Sequence, residues 1–99
     1  MPRVMFTITY GIKPEHRDAY LDLARRMKEH FTTVGKKNYT VYEAKGKKNL
    51  FTEVFITGSI EEFDALEDNQ DDTTDALISK LDEFIDEGGM KYNTVIEAV

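Results

Sequence analysis

Glu53 is the one charged side chain inside the two segments whose composition marks them as central strands, and it stands between Phe51 and Phe55 on one strand face. A carboxylate held among aromatic rings is partly desolvated, which moves its pKa up toward the range of a general base. The same position also suits a structural carboxylate, hydrogen-bonded to Thr40 or a tyrosine or reaching a lysine or arginine at the sheet edge. His30 is the second candidate for moving a proton, since it falls near a helix C-terminus where the cationic imidazole is favoured. Tyr10 and Tyr42 offer hydroxyls to a ligand whose pocket walls would be Phe6, Phe51 and Phe55.

Metal chemistry finds little support. His16 and His30 share a helix stripe, yet the stretch of helix between them is about 21 Å long, too far for one ion. The acidic run Glu67, Asp68, Asn69, Gln70, Asp71, Asp72 lacks the glycine and the closing glutamate of a calcium loop and reads as solvated. The absence of cysteine removes thiolate metal sites, cysteine nucleophiles and disulfides. No phosphate-cradling glycine loop, dinucleotide fingerprint or Ser/His/Asp arrangement occurs, so neither a metal nor a cofactor is expected.

The elements that must position these groups follow from the hydrophobic periods: two, helical, two, two, helical, helical, two, which spells βαββαβ in a single domain over 1–99. The first strand is predicted from Arg3 to Tyr10. Val4, Phe6, Ile8 and Tyr10 share one face and Met5, Thr7 and Thr9 the other, and a strand uncharged on both sides is central. A helix over Pro14–Val34 buries His16, Tyr20, Leu23, Met27, His30 and Val34, with Ala24 and Phe31 alongside, and Gly35 stops it. Strands over about 38–45 and 49–57 form a hairpin on a two-residue turn at Gly46-Lys47, pairing Tyr42 with Phe51 and Thr40 with Glu53. That register puts Thr40, Tyr42, Ala44, Phe51, Glu53 and Phe55 on one face, with Tyr39, Val41, Glu43, Leu50, Thr52, Val54 and Ile56 opposite. Ser59 and Glu62 cap a short helix with Ile60, Phe63 and Leu66 inward. A last helix over Thr74–Glu87 ends at Gly88-Gly89, and Lys91–Val99 is the final strand.

Charge is unevenly divided. Residues 13–48 hold ten Lys/Arg against five Asp/Glu, giving +5, while residues 59–87 hold one Lys against twelve Asp/Glu, giving −11, within a net charge of −6. An acidic whole without a recognition motif argues against nucleic acid as a partner. No apolar run approaches bilayer-spanning length and the N-terminal stretch lacks a secretory pattern, so no membrane association and a reducing, cytoplasmic location are expected.

In the expected α+β, ferredoxin-like fold, both helical segments cover one face of a four-stranded antiparallel sheet. The other face would carry Met5, Thr7, Thr9, Val41, Leu50, Thr52, Val54, Ile56 and Val95, apolar enough to need covering, and a second copy packed face to face does so. GIKPEHRDAYLDLARRM after a strand, then a hairpin, then EVF leading into SIEEFDAL, resembles the dimeric α/β-barrel superfamily and, within it, the antibiotic-biosynthesis monooxygenase-like proteins. The resemblance spans nearly the whole chain. It implies a homodimer, a pocket between helices and sheet, and oxidation of a small apolar or aromatic substrate without bound metal or flavin. The haem-degrading members carry an iron-binding histidine on the second helical segment, and residues 59–87 contain none. The alternative is a non-catalytic homodimer that binds a ligand or another protein, its core filled by Phe6, Phe51, Phe55, Phe63 and Phe84.

Overall fold

The computed structural model describes residues 2–68 and 71–99 of the chain. In order the elements are β1 (Val4–Ile12), α1 (Arg17–Glu29), β2 (Asn38–Glu43), β3 (Leu50–Thr57), α2 (Ile60–Asp68), α3 (Asp72–Asp82) and β4 (Ile85–Ile96). The strands form one antiparallel sheet in the order β2-β3-β1-β4, so the uncharged β1 is central, paired with β3 on one side and β4 on the other. This is the ferredoxin-like α+β arrangement expected from the periods. Alternation along β1 sends Val4 and Tyr10 to the helix-covered face and leaves Met5 40% exposed on the other.

α1 follows a 3₁₀ turn at Pro14–His16 and continues into a π-helical turn at His30–Val34. Tyr20, Leu23, Ala24, Met27 and Phe31 form its buried stripe. Val34, expected on that stripe, is largely exposed, because the wider π turn rotates it off the face; Gly35 N–H closes the turn on the His30 carbonyl at 3.1 Å. Ser59 Oγ accepts the Glu62 N–H at 3.1 Å, and the Glu62 carboxylate reaches back to the Gly58 N–H at 2.9 Å, a capping box displaced by one residue. Ile60, expected inward, stands exposed at that first turn.

Two expectations need correcting. The β2–β3 connection is not a two-residue turn: Ala44 N–H donates to the Leu50 carbonyl at 2.8 Å, and residues 45–49 make the reversal, with Gly46 at φ 84° and Asn49 at φ 68°. Val41 therefore pairs with Glu53 and Tyr42 with Thr52, one residue away from the expected register. The shift exchanges the faces of β2, so Tyr39 and Val41 turn toward the helices and Thr40 and Tyr42 away. Secondly, Gly88-Gly89 does not separate helix from strand. α3 stops at Asp82 and β4 already begins at Ile85, with a register shift between Tyr10 and Ile12 where residues 86–89 face Gly11. A Cβ at Gly11 would meet the Asp86 carboxylate, which would have to turn aside to admit it. Asn69 and Gln70, within the acidic run read as a loop, lie outside the described residues. Among the described residues no helix is long and apolar enough to cross a membrane, and no cluster of His, Asp and Glu is arranged to hold a metal ion.

Candidate functional site

Glu53 sits in the middle of the sheet, opposite Ile8 of β1 and Val41 of β2, and is 4% exposed. The corrected register supplies its partner. Tyr39 lies two residues from Val41 on the same strand face, a diagonal neighbour of Glu53, and its hydroxyl donates to Glu53 Oε1 at 2.6 Å. The hydroxyls of Tyr10 and Tyr20 bond each other at 2.8 Å beside this pair. Aromatic rings pack the phenols in place, with centroid separations of 4.6 Å for Tyr39–Phe55, 4.9 Å for Phe31–Tyr39 and 4.5 Å for Tyr20–Phe51.

Burial pushes the Glu53 pKa up from the ordinary carboxylate range, while the Tyr39 hydrogen bond and then the nearby Tyr10 hydroxyl pull it part of the way back. The phenols of Tyr10, Tyr39 and Tyr20 are raised above the usual tyrosine range, first by burial and further by the Glu53 charge. They therefore remain protonated donors, and Glu53 is the member of the group that can exchange a proton.

Glu53 also forms part of the wall of a cavity of about 250 Å³ between the helices and the sheet, together with Phe6, Phe31, Lys37, Phe55 and Tyr92. Of the sequence-predicted site residues, Glu53, Phe6 and Phe55 meet there. Tyr10 and Phe51 lie in the packed core beside it and do not line it. Tyr42, predicted to present its hydroxyl to this pocket, is 57% exposed on the opposite sheet face, a direct result of the one-residue register change. His30 does not line the cavity; its Nε2 lies 3.3 Å from Asp71 Oδ1, linking the π turn to the N-cap of α3, where Asp71 also accepts the Thr74 N–H at 2.7 Å. Sequence reasoning missed Tyr39 and Lys37. The usable signal for Tyr39 was Glu53 itself, because a buried carboxylate needs a donor within reach.

Neither a protein-family model nor a curated protein matches the sequence. Solved structures do match in three dimensions. A conserved protein from Methanosarcina mazei superposes with a TM-score of 0.83 at 16% identity, over 99% of this chain and 95% of that one. A candidate antibiotic biosynthesis monooxygenase from Deinococcus radiodurans gives 0.76 at 14% identity, covering 97% and 92%. A variant of SnoaB, a cofactor-independent oxygenase from Streptomyces nogalater, gives 0.72 at 10% identity, covering 94% and 90%. The chain thus has the ferredoxin-like fold of the antibiotic-biosynthesis monooxygenase-like structures.

Proposed function

We propose that this chain is a homodimeric enzyme that oxidises a small, flat, apolar or aromatic substrate in the Glu53 cavity, using dioxygen and no resident metal or flavin. One observation carries the reading: the buried Glu53 lines a cavity whose walls include Phe6, Phe31, Phe55 and Tyr92. A methylene flanked by aryl rings loses a proton to Glu53, and the resulting carbanion passes electrons to dioxygen. One oxygen atom remains as the substrate carbonyl and the other leaves as water. Tyr39 holds the carboxylate in place while staying protonated. The fold shared with SnoaB, itself a cofactor-independent oxygenase, supports the reaction class by analogy. The second copy covers the open sheet face.

The test is dioxygen uptake with anthrone, a flat ketone that carries such a methylene, measured above its spontaneous oxidation. Wild-type protein accelerates uptake and Glu53→Gln does not; equal rates for both remove Glu53 from the chemistry. A second reading, a non-catalytic ligand-binding homodimer, is favoured by the Tyr39–Glu53 hydrogen bond, which is also what a structural carboxylate makes. It predicts that anthrone oxidation is never accelerated while ligand binding survives Glu53→Gln.

A further inference from the structure

Lys37 is the only basic residue on the wall of the Glu53 cavity among the described residues. The chain holds it there by local geometry. After the π turn, Lys36 takes up a left-handed conformation at φ 51°, and the Lys37 N–H donates to the Phe31 carbonyl at 2.8 Å. The side chain then lies over the Phe31 ring, with Nζ 5.5 Å from its centroid. Lys37 lines both the cavity and the cleft beside it, next to α2, so the residue stands where the two meet, its Nζ over the Phe31 ring.

No carboxylate forms an ion pair with Lys37 among the described residues. Glu62, which shares the cleft, turns its carboxylate to the Gly58 N–H at 2.9 Å. The cavity thus has a hydrogen-bonded acid in its sheet wall, aromatic sides, and at its edge a lysine with no ion-pair partner among the described residues. The geometry points to a substrate class: a flat aromatic molecule carrying an anionic oxygen group, its ring among Phe6, Phe31, Phe55 and Tyr92 and its anion on Lys37. This rests on the cavity proposed above as the substrate site and adds what selects its occupant. A neutral aromatic of the same shape gains the ring contacts and forgoes the charge-assisted hydrogen bond.

Isothermal titration of the full-length protein with naphthoate and with its neutral isostere naphthamide tests this without any turnover. Wild type is expected to bind naphthoate about tenfold more tightly than naphthamide, the scale of one partly solvated charge-assisted contact. Lys37→Met, which keeps the aliphatic stem, brings the two affinities together while leaving naphthamide unchanged, and Lys37→Arg keeps the preference. Equal binding of both probes by wild type, a preference that survives Lys37→Met, or no binding of either overturns the inference. Equal probe binding alongside Glu53-dependent anthrone oxidation removes only the role of Lys37. A charge preference without that oxidation removes only the oxygenase reading.

Discussion

Three buried phenols surround one buried carboxyl, and burial raises the proton affinity of all four. Because the Glu53 pKa is higher in the folded protein than its ordinary 4.5, the native state holds that proton more tightly than the unfolded chain does. The associated stability is complete below 4.5 and is lost as pH rises through the folded value. Glu53→Gln keeps an oxygen to accept from Tyr39 and has nothing to titrate. Thermal melts should therefore show wild type losing stability relative to the variant across that window, by roughly 1.4 kcal/mol for each pH unit separating the two values. Parallel melting curves would mean that the carboxyl ionises as it does in water. Tyr39→Phe raises the Glu53 pKa further, since the lost hydrogen bond is the largest influence favouring its charged form. Expected are a stability loss of roughly 1 to 2 kcal/mol and a move of the acidic limb of the turnover profile to higher pH. A phenol that merely fills space would lower stability and leave that limb where it was.

Which tyrosine reaches Glu53 is decided by a loop some distance from it. β2 has apolar side chains on both faces, Tyr39 and Val41 on one and Tyr42 on the other, so its own pattern does not choose an orientation. Only the length of the reversal chooses, and a five-residue loop flips the strand relative to a two-residue turn. β1 was legible because it is uncharged on both faces, and α1 because its stripe is long. β2 was illegible because Gly46 suits a two-residue turn, and Asn49, which tolerates a left-handed conformation at φ 68°, gave the quieter signal. Glycines 88 and 89 misled for a related reason, since they serve a strand irregularity as well as a helix end. The long reversal is clamped from α1. Arg17 grips both oxygens of Glu43 at 2.6 and 2.9 Å and the Asn49 side-chain oxygen at 2.8 Å, and Glu43 Oε2 accepts the Asn49 N–H at 2.9 Å. The Arg17 hydrogen bond first, and then that N–H, pull the Glu43 pKa down from 4.5 to about 2. A lowered carboxylate pKa contributes stability above 4.5 that disappears as pH falls toward about 2. Arg17→Met should accordingly melt at a lower temperature than wild type at neutral pH, with the gap closing through that acid window. A constant gap would show that Glu43 does not report on the clamp.

The molecule as a whole is a slab, 42 × 31 × 20 Å, with one helical layer on one sheet. Its accessible surface of 6643 Å² exceeds the roughly 5,800 Å² that the general scaling gives for a monomer of this mass. Its radius of gyration of 13.7 Å exceeds the roughly 12.6 Å of a rounded domain of this length. The excess belongs to a shape with one broad face uncovered, and that face carries Met5, Tyr42, Ile56 and Val95, all exposed. The proposed two-fold partner, laid on it, would convert the slab into a four-layer body and remove the face from water. Val54 lies near the centre of this face, between Thr7 and Thr40 on the neighbouring strands. Val54→Lys would place one new charge per copy at the proposed two-fold contact, where neither could be solvated without separating the sheets. Native mass spectrometry should find wild type at twice the 11.4 kDa chain mass and the variant at 11.4 kDa. Because the Glu53 cavity opens on the other side of the sheet, the monomeric variant should still bind naphthamide. A wild-type monomer would mean that the Thr- and Val-rich face stays in water and that the second copy is no part of this protein's architecture.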